Sequence, residues 1–161
     1  MSVLSWIVQG LGNWNTFCDL KNLLQDKTSD IVFLTETRMT VVQMGGLVQR
    51  LGVGGVLCVP SAGFSSDLCI LWKTGLQVVL VSSSLGHIDA QVTFPNSFVT
   101  QIIGLYGNPN LTRRIHSWEL FRSLSQVDTG PCMCCSDFNE MWTKKVALIF
   151  SLLVKLKIFN W

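Results

Sequence analysis

At 161 residues the chain is long enough for one domain with a substantial core and too short for two comfortable ones. Hydrophobic residues make up 48% of it and charged residues only 14%, which excludes intrinsic disorder. A formal net charge of +2 excludes a broadly basic surface, so any nucleic-acid contact needs a local cluster; the adjacent basic pairs are Arg113-Arg114 and Lys144-Lys145.

The chain opens on Met1-Ser2-Val3-Leu4-Ser5-Trp6, strand-like and without a basic leader, which reads as intracellular, nuclear or cytoplasmic. Ser2–Gln9 alternates and is rich in β-branched and aromatic residues, a first strand that Gly10-Leu11-Gly12-Asn13 breaks. Phe17, Leu20, Leu23 and Leu24 then recur at helical spacing. Ile31–Thr35 is a continuous apolar run, the pattern of a strand covered on both faces. Strand, helix and strand with short connections imply a right-handed parallel crossover.

Val41–Leu51 reads as a short helix interrupted at Gly45-Gly46. Gly54–Pro60, Leu68–Trp72, Leu76–Ser82 and His87–Phe94 follow as short strands, which together suggest an antiparallel meander. Phe98–Tyr106 is a further strand, and Gly107-Asn108-Pro109-Asn110 is a turn by composition. Thr112 is placed to cap a helix in which Ile115, Trp118, Phe121 and Leu124 repeat every three residues. Of the tryptophans, Trp6 and Trp118 have the best patterns for burial.

The last strand, Pro131–Cys135, runs into Ser136-Asp137-Phe138-Asn139-Glu140. Residues 1–140 therefore read as one domain. Residues 141–161 are apolar, lack turn residues and do not continue it. The run Val146–Val154 within them is about half the length of a membrane span, so no span is expected.

The cysteines Cys18, Cys58, Cys69, Cys132, Cys134 and Cys135 lack the spacing of a secreted disulfide framework and read as reduced thiols. Cys132 and Cys135 form a C-x-x-C without the second pair that a zinc site needs, so small buried strand residues describe them better. His116, beside Arg113 and Arg114, reads as a surface residue, and His87 as a structural hydrogen-bonder.

Chemistry concentrates where the apolar strands end. Asp137 and Asn139 put a carboxylate and a carboxamide two residues apart at a strand terminus, where a phosphate or hydrated metal would sit between them. Glu36 closes the equally apolar Ile31–Thr35. Carboxylates at strand ends, distant in sequence, are how open α/β sheets build phosphoryl-transfer sites. Glu36 and Asp137 are expected to end neighbouring strands and face one cleft, with Asn139 lining it.

Taken in order, these landmarks resemble the endonuclease/exonuclease/phosphatase superfamily, most closely the endonuclease domain of plant non-LTR (LINE-type) retroelements. They are Leu4-Ser5-Trp6 through Gly12, Asp30 through Thr37, Leu71-Trp72-Lys73, His87-Ile88-Asp89, Gly104-Leu105-Tyr106-Gly107, Ser117-Trp118-Glu119-Leu120 and Ser136 through Glu140. The resemblance implies an α/β (α+β) fold, a four-layered α/β/β/α sandwich. It implies metal-dependent phosphodiester hydrolysis with DNA as candidate substrate. Glu36 would then hold Mg²⁺ or Mn²⁺ as a hard oxygen ligand. Tyr106 would hydrogen-bond the scissile phosphate, Asp137 would orient or deprotonate the attacking water, and Asn139 would stabilise charge on the phosphorane.

Two departures accompany the resemblance. Ile7 stands where the family carries an asparagine after the first-strand tryptophan, and no Asp-His pair follows Glu140. The expectation is therefore a sandwich incomplete at its C-terminus, impaired in turnover, with an uncovered sheet edge that promotes self-association. An inactive retroelement remnant, or a nucleic-acid-binding module without turnover, is the alternative.

Overall fold

The computed structural model describes residues 1–27, 29–59, 68–108, 110–127 and 130–137. The proposed boundary at residue 140 and the apolar tail of residues 141–161 lie outside them. Two four-stranded sheets face one another. The first has the order β1-β2-β4-β3, made of β1 (Val3–Ile7), β2 (Ile31–Thr35), β3 (Gly55–Val59) and β4 (Leu68–Trp72). The second has the order β5-β6-β7-β8, made of β5 (Gln77–Ser84), β6 (His87–Thr93), β7 (Val99–Tyr106) and β8 (Cys132–Asp137). Helix α1 (Trp14–Lys27) crosses between parallel β1 and β2, and α3 (Arg114–Val127) crosses between parallel β7 and β8. Each sheet therefore carries one β-α-β unit.

Side-chain alternation along the strands sorts residues into three cores. Val32 and Leu34 of β2 with Cys69 and Leu71 of β4 face outward, onto Phe17 and Leu20 of α1 and Met44 and Leu47 of α2 (Val41–Leu51). The intervening Ile31, Phe33, Leu68 and Ile70 face inward, onto Ile88, Ala90, Val92, Ile102 and Cys135 of the second sheet. Ile103 and Leu105 of β7 face outward onto Leu124 of α3. The layers run α/β/β/α, as the resemblance implied. β2 reads as a continuous apolar run because both its faces are covered: all five of its residues are buried.

Four readings change. First, α2 is continuous through Gly45-Gly46. Thr40 and Gln43 form a capping box at its start, Gly52 at φ 71° closes its end, and Met44 and Leu47 are buried. Capping and burial outweigh the roughly 1 kcal/mol that each interior glycine costs. Second, the four short strands are not one meander. β3 and β4 form a hairpin in the first sheet, and the chain crosses at Lys73–Leu76 to begin β5 in the second. Third, Thr112 lies inside a 3₁₀ turn (Leu111–Arg113), and Asn110 caps it by accepting from the Thr112 amide at 3.0 Å. Fourth, Cys58 and Cys69 are not reduced thiols. They stand directly opposite one another in the β3–β4 register, with Cα atoms 4.2 Å apart, and form a disulfide. Cys18 and Cys135 are free thiols.

Candidate active site

Parallel β1 and β2 end together, and the backbone that leaves them is knitted by local bonds. The Val8 amide donates to the Thr35 carbonyl at 3.0 Å, that of Gly10 to Glu36 at 2.8 Å and that of Leu11 to Thr37 at 2.9 Å. Gln9, Glu36 and Arg38 in this paired segment have φ of 53°, 58° and 53°. Left-handed non-glycine residues cost about 1–3 kcal/mol each and persist only where surrounding bonds over-determine them. The two exit segments brace each other, and Glu36 is half-buried at the join.

Glu36 reaches across to the second sheet. The Tyr106 hydroxyl at the end of β7 donates to Glu36 Oε1 at 3.1 Å, joining side chains 70 residues apart. Asp137 ends β8 with its backbone in register with Tyr106. Glu36 and Asp137 thus do not end neighbouring strands of one sheet, as expected from the sequence; β2 and β8 belong to facing sheets. Asn139 lies outside the described residues. Thr35, 1% exposed on the same inward face as Phe33, has a hydroxyl with no hydrogen-bond partner among the described residues. No sequence signal pointed to Thr35, because an orphaned hydroxyl depends on what the opposite sheet offers it.

Ile7 closes β1 opposite Thr35 and is 44% exposed, an apolar side chain at the same end of the sandwich. The turn after Tyr106 is held by side chains of α3: Ser117 Oγ accepts from the Asn108 amide at 3.1 Å, and Arg114 Nε donates to the Asn108 carbonyl at 3.4 Å. Of the basic pair, Arg114 is thereby occupied structurally and Arg113 is exposed. Asp30, the carboxylate at the opposite end of β2, is anchored. Burial raises its pKa, but the bonds from Lys73 and the Ser2 amide outweigh that and leave it below the ordinary value. His116 is exposed and pairs with Glu119 at 3.3 Å, while His87 is buried between Ser82 and Ser84. Burial, with the Cys132 thiol adding to it, pushes the Cys135 thiol up to about 12, so it is inert as a nucleophile.

No protein-family profile matches the sequence, and no curated protein matches it. Solved structures do. The catalytic domain of human Nocturnin aligns with a TM-score of 0.64 at 16% identity, over 92% of this chain and 67% of that one. The endonuclease domain of TRAS1, a telomere-specific non-LTR retrotransposon, aligns at 0.67 and 12% identity, over 96% of this chain and 69% of that one. A Neisseria 3′ phosphatase, NExo, bound to a product DNA hairpin, aligns at 0.61 and 18% identity, over 86% and 58%. The fold is the endonuclease/exonuclease/phosphatase sandwich. Within that sandwich, Glu36, Tyr106 and the end of β8 occupy one rim where the two sheets meet. Among the described residues no group of three or more His, Cys, Asp or Glu side chains is assembled for a metal. No described helix is long and apolar enough to cross a membrane.

Proposed function

We propose that the chain is a phosphodiester hydrolase-like domain of the endonuclease type, derived from a non-LTR retroelement, in which turnover is impaired. The observation that carries this reading is the Tyr106–Glu36 bond across the two sheets, with Asp137 in register beside Tyr106. Glu36 is a single hard carboxylate at an accessible rim, near an orphaned Thr35 hydroxyl. That fits Mg²⁺ or Mn²⁺, which take one or two carboxylates and complete their shell with water and substrate phosphate. When bound, such an ion supplies Lewis-acid stabilisation of a phosphate oxygen.

This chain's own residues divide the remaining work. Glu36 would hold the ion, and the Tyr106 hydroxyl, whose one O–H orients that carboxylate here, would turn to the scissile phosphate once substrate is bound. Asp137 ends β8 beside Tyr106. There Asp137 would orient and deprotonate the attacking water. Asn139 would donate to the developing charge on the phosphorane. Ile7 weakens the assembly, because it places an exposed hydrocarbon where the family offers an amide oxygen. Loss of one such group costs several kcal/mol of transition-state stabilisation, on the order of a hundredfold or more in rate. The substrate class is DNA.

The test separates holding the ion from turning over. Purified protein is expected to bind Mn²⁺, read by paramagnetic broadening, and to lose that binding in Glu36→Gln, while nicking of supercoiled plasmid in Mg²⁺ stays at background. Mn²⁺ binding unaffected by Glu36→Gln would overturn the site. Robust nicking that disappears in Asp137→Ala would overturn the impairment.

A further inference from the structure

Trp14 is the first residue of α1, and 63% of it is exposed, the most of any aromatic residue described. It is not a loose side chain. Its ring stacks on buried Phe17 at 5.5 Å with an interplanar angle of 27°. The Arg50 guanidinium from the end of α2 lies 4.4 Å over the Phe17 ring and 5.6 Å over that of Trp14. The indole is thus held in a fixed orientation with most of its surface in water and a cation at its margin. The Asn13 side chain accepts from the Asn15 amide at 2.9 Å and fixes the turn into the helix beneath it.

Its position matters as much as its exposure. The chain enters α1 directly from Gly10 and Leu11, whose amides bond the carbonyls of Glu36 and Thr37. Trp14 lies three residue steps beyond Leu11, a span of at most about 11 Å, which is roughly three nucleotide steps at 3.4 Å each. A buried packing role would hide the ring, and a purely helix-linking role would be met by Phe17 and Arg50 alone. A rigid, exposed aromatic face with an adjacent guanidinium is the arrangement that stacks an unpaired nucleobase and neutralises its phosphate.

We propose that Trp14, oriented by Phe17 and Arg50, is a stacking platform for an unpaired base of a nucleic-acid strand passing the Glu36–Tyr106 rim. This rests on the proposed function for the identity of the ligand and adds the strand form that is recognised. The protein prefers single-stranded or locally melted DNA over an intact duplex, because a duplex keeps its bases stacked on each other.

The experiment measures binding of a short fluorescent single-stranded oligodeoxynucleotide, and of its blunt duplex, by anisotropy at several salt concentrations. Single strand is expected to bind more tightly than duplex. Trp14→Leu is expected to weaken single-strand binding roughly 5-fold or more, and Trp14→Phe to stay within about twofold. The salt slope is expected to be the same in all three proteins, since no charge is removed. Thermal melting of each variant checks that the fold is kept. No single-strand binding, a preference for duplex, or unchanged affinity in folded Trp14→Leu would overturn the proposal. These outcomes are independent of the Mn²⁺ readout at Glu36, so this inference and the site assignment fail separately.

Discussion

His87 shows how much a single buried side chain sets. It is 6% exposed, with Ser82 Oγ 3.0 Å from Nε2 and Ser84 Oγ 2.7 Å from Nδ1. A neutral imidazole needs one donor and one acceptor, and two rotatable hydroxyls supply both. Burial lowers the His87 pKa below the ordinary value, against the opposing pull of the Asp89 carboxylate. The folded state therefore binds this proton less readily than the unfolded chain. Its stabilisation is complete above the unfolded pKa of about 6.5 and is lost as pH falls below that toward the folded value. Melting temperature is expected to fall between pH 7 and pH 5, and His87→Gln is expected to flatten that dependence; an unchanged slope would contradict it. At this scale the sequence was partly legible. Glu36 and Asp137 stood out because each ends an apolar strand, and Tyr106 only through the family resemblance. The left-handed backbone at Glu36 and Arg38 did not, because neither is a glycine or asparagine, and the strain is imposed by bonds to Gly10 and Leu11.

Between the two sheets, a close fit lies where β2 of one meets β7 of the other. A Cβ at Gly104 would lie 2.3 Å from a Phe33 ring carbon, so the glycine is what admits the ring between the sheets. Gly104→Ala is expected to destabilise by about 1–3 kcal/mol through overpacking. Phe33→Leu in the same chain is expected to recover part of that, measured as denaturant midpoints; additive losses would show that the two positions do not share the space. Strand boundaries were read best where an apolar run is flanked by breakers: β2 and β4 fall on the expected residues. Sheet membership was not readable, because alternation states which side chains are buried and not which sheet buries them. That is why β3 through β6 looked like one meander. The Cys58–Cys69 pair was hidden for the same reason, since only the β3–β4 register brings the two residues opposite.

For the whole molecule, burial is uneven. β5 borders the second sheet, contains no charged residue, and exposes Val79, Leu80 and Val81, with Leu85 exposed in the turn that follows. Natural edge strands usually carry lysine, proline or a bulge to prevent edge-to-edge pairing. Here the register shift between Leu80 and Ser82 is the only such device among the described residues of the strand. Self-association is therefore expected through β5, and Val81→Lys is expected to shift size-exclusion profiles toward monomer and raise soluble yield without lowering the melting temperature. An oligomer that persists in Val81→Lys would place the contact elsewhere. The four-layered architecture was foreseen from the order of landmarks, since each piece alone is an ordinary strand or helix.

The Tyr106–Glu36 bond has a consequence for how the molecule comes to exist. Its partners belong to separate β-α-β units, each with its own helix-covered core, and they meet across a loop of 70 residues. Neither unit alone contains the rim. Closing so long a loop is entropically slow and is rewarded only once the facing sheets have docked. The rim is thus a late product of folding, present only in molecules whose two halves have already found each other.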